Sequence, residues 1–261
     1  MIWILMPFIL IILIVQWRYN FFTPKSSGLP ILMYHKVDTL KKDFLTVNLA
    51  QLSSHFNYLK SKGYQPISFQ CLLQNPTFLP SKPIIITFDD GFMNNFEFLY
   101  PLLQQFDFKA TIFLPVSFIG KTNLWDGGAD ALMDYKTLKN MDSRWIEFGL
   151  HSFAHKNYKT MEISAIDEDL KQSIDLLKDN DLSFAPVLAY PFGGFPREKV
   201  ANQAFEKVLL KNNILLGLRI GNKINALPLR KPYQVKRIDV RGTDSFWAFK
   251  TKLHKGRVKM F

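Results

Sequence analysis

Apolar residues come in short bursts along this chain, and the bursts alternate with longer stretches where they recur every three or four positions. The bursts lie near 29–37 (LPILMYHKV), 83–88 (PIIITF), 110–116 (ATIFLPV), 145–150 (WIEFGL), 185–192 (APVLAYPF), 214–220 (ILLGLRI) and 235–240 (VKRIDV). Their length and β-branched content predict buried strands. Between them, Leu49, Leu52, Phe56 and Leu59 fall at helical spacing behind Asn48, a candidate N-cap, and Ile163, Ile166, Leu170, Ile174 and Leu177 repeat the pattern. Such alternation predicts an α/β fold of parallel strands with covering helices. About seven strand–helix units suit a barrel better than an open sheet, and barrel chemistry sits at the C-terminal strand ends.

The N-terminus breaks this rhythm. Met1 to Val15 carries no polar side chain. At 1.5 Å per residue these residues span roughly 22 Å, and continuing through Trp17, Tyr19, Phe21 and Phe22 approaches the length of a short membrane-crossing helix. The aromatic cluster suits a headgroup layer. The segment lacks the basic start and small-residue cleavage site of a secretory signal peptide, so the expectation is an uncleaved transmembrane anchor over 1–22, a linker over 23–28 and a single domain over 29–261. Arg18, Lys25 and Lys36 follow the segment, an arrangement the positive-inside rule associates with a cytoplasmic domain.

Composition adds two constraints. With 33 Lys+Arg against 22 Asp+Glu the 261-residue chain has a formal charge of +11, which favours anionic surfaces. No zinc knuckle or nucleic-acid motif accompanies the charge, so nucleic acid is not an expected partner. The single cysteine, Cys71, excludes an intramolecular disulfide and a cysteine-rich metal site.

The candidate chemistry gathers at two strand ends. The run IIITFDDG closes on Asp89 and Asp90, with Gly91 permitting a sharp exit turn. After the 145–150 burst comes HSFAH, whose His151 and His155 are four apart and share a face if the backbone turns helically. One carboxylate and two imidazoles make a three-ligand divalent-metal site with open positions, as in catalytic zinc centres. A bound cation would also explain paired negative charges at the end of a buried strand, since it keeps both ionised.

TFDDG, HSFAH and AYPFG (189–193) resemble the first three motifs of the polysaccharide deacetylases with a NodB-homology domain, carbohydrate esterase family four. LPILMYHKV, IEFGLHSFAHKNY and LAYPFG look most like the branch that deacetylates poly-N-acetylglucosamine. The resemblance implies a distorted (β/α) barrel and a metal-dependent hydrolase that removes N-acetyl groups from an amino-sugar glycan, polymeric or lipid-linked, at the bacterial inner membrane or cell envelope. It implies Asp89 as general base, Asp90, His151 and His155 as ligands of one divalent metal ion, zinc being the usual one, and the Phe192 N–H as an oxyanion donor.

This sequence departs from the family in two places. Ala189 stands where the third motif has arginine, and Arg237 is the candidate substitute for orienting the base. The histidine that supplies the general acid has no clear counterpart; His35, ending the first strand run, and His254, in LHKG, are the candidates. Tyr190, Trp125, Asp126, Tyr64 and Trp145 are candidate sugar contacts. His55 falls on the polar side of its helix and reads as surface. Two alternatives remain: a glycan-binding barrel without turnover, motivated by the missing motif residues, and a non-haem iron oxygenase, which also uses two histidines and one carboxylate.

Overall fold

A computed structural model describes the backbone of residues 2–19, with side chains for 6–14, and all of residues 28–256. Seven parallel strands form the barrel: β1 (Ile31–Tyr34), β2 (Pro83–Asp89), β3 (Ala110–Leu114), β4 (Ile146–Leu150), β5 (Val187–Ala189), β6 (Leu216–Ile220) and β7 (Val235–Asp239). Each strand pairs with the next in sequence. β1 closes the ring, pairing with β2 through Ile31–Ile85 to Tyr34–Phe88 and with β7 through Leu32–Ile238 and Met33–Asp239. The β4–β5 seam is the thinnest, held at the single register pair Leu150–Leu188. Short strands outside the ring run from Lys36 to Asp38, Thr46 to Asn48 and Gln65 to Pro66.

The helices are α1 (Ile2–Tyr19), α2 (Leu49–Ser61), α3 (Phe69–Gln74), α4 (Tyr100–Phe106), α5 (Tyr135–Lys139), α6 (Ile163–Asp179), α7 (Lys199–Lys211) and α8 (Phe246–Lys255). Asn48 caps α2 as its sequence predicts, Oδ1 accepting from the Gln51 N–H at 2.8 Å. The predicted strands are trimmed at prolines, which lack an N–H for the ladder: Pro115 ends β3, and Pro186 and Pro191 bracket β5. One expected covering helix is absent. Residues 221–234 join β6 to β7 with only a short 3₁₀ turn at Pro232–Gln234.

Alternation along the strands builds two cores. Ile31, Ile85, Phe113, Val187, Ala189, Leu218 and Val235 fill the barrel. Leu32, Ile84, Ile86, Ile112, Leu188 and Ile238 point outward, under Leu52, Phe56, Ile166, Leu170 and Phe205 of the helices. β2 is buried along its whole length, which explains its run of isoleucines. On β4, a Cβ at Gly149 would come within 2.5 Å of the Phe113 ring, so only glycine leaves room for that ring.

The N-terminal helix stands apart. Met6, Phe8 and Ile9 through Ile14 are exposed, and neither core includes them. Among the described residues no helix is long and apolar enough to cross a membrane. The flanking Phe21 and Phe22, the side chains of Trp17 and Tyr19, linker residues 23–27 and the basic tail from Arg257 lie outside the described residues.

Candidate active site

Two strand ends and the loops that leave them assemble the site. β2 delivers Asp89, buried, with its carboxylate inside the barrel. A continuing strand would send Asp90 to the opposite face. Instead Asp90 adopts φ 75° and Gly91 φ 67°, so the chain turns and Asp90 returns to the same mouth. A non-glycine residue pays for that conformation, and such strain gathers at functional sites. Among the described residues eight non-glycine residues have positive φ, and four of them, Asp90, Ser152, His155 and Phe192, lie around this mouth.

The two histidines do not share a helix face, as their spacing suggested. His151 continues β4, its N–H bonding the Leu114 carbonyl at 2.9 Å, and the following loop folds back through left-handed Ser152 and His155. The loop is pinned on both sides. Val116 and Ser117 N–H groups donate to the Ser152 and Phe153 carbonyls. Asp169, buried on α6, accepts from the Phe153 N–H at 2.9 Å and the Tyr158 hydroxyl at 2.5 Å. Sequence reading missed Asp169. Its only signal is a carboxylate on the buried stripe of an amphipathic helix.

Asp90, His151 and His155 offer donor atoms that all lie within 4.8 Å of one another. Nε2 of His155 is 3.2 Å, and Nε2 of His151 3.5 Å, from Asp90 Oδ1. Tetrahedral ligands at about 2.0–2.1 Å from zinc would be separated by about 3.3 Å. His151 Nδ1 lies 2.7 Å from the Ala189 carbonyl. A carbonyl only accepts, so Nδ1 carries the proton and Nε2 presents its lone pair to the site. Asp90 Oδ1 is buried without a hydrogen-bond partner despite the two imidazoles beside it. These residues fit a divalent cation. Burial pushes His151 down to about 4, keeping it neutral and able to ligate near neutral pH. Burial opposes ionisation of Asp90, but the His155 ring nitrogen and then His35 and His151 outweigh it and hold the carboxyl below its usual range.

Arg237, on β7, is buried inside the barrel and grips Asp89 with both nitrogens, Nη1 to Oδ1 at 2.5 Å and Nη2 to Oδ2 at 2.8 Å. Thr87 supports it, Oγ1 lying 3.3 Å from Nη1 and donating to the Leu32 carbonyl. Burial alone would raise the Asp89 carboxyl; Arg237, then His151, outweigh it and hold the group well below the usual carboxylate range. His35 Nε2 lies 3.9 Å from Asp89 Oδ2.

Trp125 stacks on the His155 ring at 4.5 Å, and the exposed Phe192 ring meets its edge at 4.9 Å, so both aromatics frame the opening. Five sequence expectations need correction. Tyr190 is fully buried with its hydroxyl on the Tyr233 carbonyl, because it faces the α7 side of β5 rather than the mouth. Trp145 and Tyr64 precede the strands they join, which puts them at the N-terminal end of the barrel, away from the site. His254 lies on α8 with Nε2 2.9 Å from the Tyr58 hydroxyl, outside the barrel. His55 is not surface: α8 covers it, and its ring stacks on Phe249 at 3.7 Å.

A family model described as polysaccharide deacetylase matches residues 79–208, the span that carries Asp89, Asp90, His151, His155 and Phe192. The chain belongs to the polysaccharide deacetylase family. It is 27% identical over 179 residues to YxkH of Bacillus subtilis, covering 67% of this chain and 61% of that one. It is 31% identical over 97 residues to the poly-beta-1,6-N-acetyl-D-glucosamine N-deacetylase of Escherichia coli, covering 34% of this chain and 14% of that enzyme. The match thus spans less than two thirds of either relative. Among solved structures, the Streptococcus pyogenes deacetylase PplD in complex with acetate superimposes with a TM-score of 0.71 at 22% identity, over 89% of this chain and 100% of that one. IcaB from Ammonifex degensii gives a TM-score of 0.72 at 19% identity, over 88% and 97%. At these identities the two structures establish the fold.

Proposed function

We propose that this protein is a membrane-anchored N-deacetylase of amino-sugar glycans that works with one divalent cation, zinc being the expected ion. The observation that carries this reading is the division of labour at the end of β2: Asp90 joins two imidazoles while Asp89, one residue earlier, is held by Arg237. When bound at Asp90, His151 and His155, the cation lowers the pKa of water and polarises an acetamide carbonyl.

The chain supplies the rest. Asp89, kept ionised and fixed in orientation by Arg237, accepts the proton of the attacking water. The Phe192 N–H, set in a left-handed turn at φ 58°, helps hold the oxyanion of the tetrahedral intermediate. His35 is the histidine at the mouth that is not a metal ligand, and it delivers the proton that the departing amine needs. Trp125 and Phe192 offer apolar faces to the sugar.

The reading without turnover has two motives, the missing general-acid histidine and the missing third-motif arginine. Arg237 reaches the base from another strand, so the second motive weakens. The substrate is an N-acetylated polymer such as poly-N-acetylglucosamine or a lipid-linked amino sugar, supported by the named activity of the E. coli relative. The anchor reading rests on the exposed apolar helix stretch from Phe8 to Ile14, against which no core residue packs. With it comes a place at the bacterial inner membrane or cell envelope.

Acetate release from N-acetylated oligosaccharides tests the activity. Chelation should abolish it and zinc should restore it. Asp89→Asn should keep the metal yet lower kcat by about 10²–10⁴-fold, the range typical of a lost general base. A folded, metal-loaded protein that releases no acetate from chitooligosaccharide, poly-N-acetylglucosamine or a lipid-linked N-acetylhexosamine would leave only the binding alternative.

A further inference from the structure

A basic cavity lies on the outer flank of the barrel, between α7 and the helix-free connection from β6 to β7. It has a volume of about 260 Å³ and is lined by Phe195, Arg197, Asn202, Arg219 and Gln234. The guanidiniums of Arg197 and Arg219 each lie 5.7 Å from the Phe195 ring, one from the loop after β5 and one from β6. No hydrogen bond or ion pair among the described residues engages either guanidinium, and Arg219 Nε is buried without a partner. Burial first, and then the neighbouring Arg197 charge, push Arg219 down. Arg219 follows the inward Leu218 and so points out of the barrel, half-buried, while Arg197 is exposed; Arg237, inside the barrel, is by contrast paired with both carboxylate oxygens of Asp89.

The lining is rich in donors. Asn202 Nδ2 gives one N–H to the Pro196 carbonyl at 3.0 Å and keeps a second, and Gln234 adds its amide. Two guanidinium forks and two amides carry more N–H groups than one carboxylate accepts. They match a doubly charged group with three or more oxygens. A buried polar atom without a partner is costly, and an incoming oxyanion would relieve that cost.

We propose that Arg197 and Arg219 form a phosphoryl-binding subsite, distinct from the metal triad. It lies close to the chemistry. Phe192 touches His155, and Phe195 is three residues further on, so their Cα atoms are at most about 11 Å apart. The subsite is thus within reach of a substrate longer than one sugar, and it stands whether or not the neighbouring site turns over acetamides. The phosphoryl group comes either from a phosphate-bearing substrate or from a phospholipid headgroup.

Calorimetric titration of inorganic phosphate into the full-length protein in detergent, with and without chelator, tests this. Saturable one-to-one binding should survive chelation and weaken at least tenfold in Arg219→Gln and in Arg197→Gln. Phosphate should raise the Tm of the unsubstituted protein and not that of either variant. Turnover of a neutral chitooligosaccharide should be unchanged in both. Where a glutamine variant fails to fold, Arg219→Lys keeps the charge, loses the fork and should weaken binding to a lesser degree. Tighter binding of glucosamine 1-phosphate than of sn-glycerol 3-phosphate marks a substrate phosphate, and the reverse order a headgroup. No saturable binding, binding lost with the metal, or binding unchanged in folded variants overturns the subsite.

Discussion

Asp89 and Asp90 are neighbours in the chain and serve different partners, and one backbone angle separates them. Strand alternation would place one inside the barrel and one outside; φ 75° at Asp90 brings both to the mouth. Arg237 then decides what Asp89 can be. Paired through both nitrogens it remains a carboxylate, oriented by a buried fork that lysine cannot reproduce. Arg237→Lys should therefore keep the charge but lose the orientation, lowering kcat by roughly 10- to 100-fold with KM little changed, less than the roughly 10²–10⁴-fold of a lost general base. Arg237→Met should cost more and also destabilise, by about 3–5 kcal/mol as for a broken buried pair. A lysine variant with wild-type kcat would show that Asp89 needs no orienting partner. Much of this was legible from sequence, since TFDDG and HSFAH mark four residues through their place at strand ends and their resemblance to the family's motifs. The Arg237–Asp89 contact joins positions 148 apart, so no local pattern announces it. Arg237 was reachable only as an arginine in the last strand run.

At the level of elements, the metal triad depends on a loop that has no regular structure of its own. The stretch from His151 to His155 is held by Asp169, whose carboxyl is raised by burial yet accepts from Phe153 and Tyr158. Asp169→Asn keeps an acceptor of the same shape and should retain metal. Asp169→Leu removes it and should weaken zinc affinity by about 10–100-fold, the usual cost of losing an outer-shell partner, measured by competition with a chromophoric chelator. Equal zinc affinity in both variants would relieve Asp169 of any positioning role. The pairing of α2 with α8 carries a different dependence. His55 is sealed between Tyr34 and Phe249, and burial pushes it down to about 3. Its ordinary value is near 6.5, so between those values the unfolded chain binds the extra proton and acid favours unfolding. Stability should be full near neutral pH and fall as pH drops from about 6 towards 3, by up to about 1.4 kcal/mol per pH unit from this residue. His55→Phe should flatten that part of the Tm–pH profile; an identical profile would mean His55 is protonated as easily folded as unfolded. The helical pattern around His55 was readable, but its burial was not: α2 shows one apolar stripe in sequence, and only the arrival of α8 nearly two hundred residues later covers the other side.

For the whole molecule, the closed ring sets an axis. Leu29, the first residue of the core, enters at the N-terminal end of β1, and the triad sits at the opposite, C-terminal end. Seven strands were readable as seven apolar bursts because both faces of each strand are buried. The missing helix between β6 and β7 was not, since a loop of that length between two bursts looks like any other connection. The N-terminal helix is outside this economy: its exposed stretch from Phe8 to Ile14 shares no core with the barrel. Removing residues 1–27 should therefore leave the Tm within about 2 °C of the full chain, since none of the described side chains there, those of residues 6–14, is buried and surface changes seldom exceed about 0.5 kcal/mol. Turnover of a soluble oligosaccharide should also be unaffected. Membrane retention should change in kind rather than vanish. The full chain should stay with the membrane at high salt and leave only with detergent, as an apolar helix dictates. The truncated protein should bind anionic vesicles through its excess of basic side chains and be released as salt shortens the Debye length to about 3 Å at 1 M. A truncated protein that resists salt extraction would move the anchor into the barrel, and one that melts well below the full chain would make the helix part of the fold.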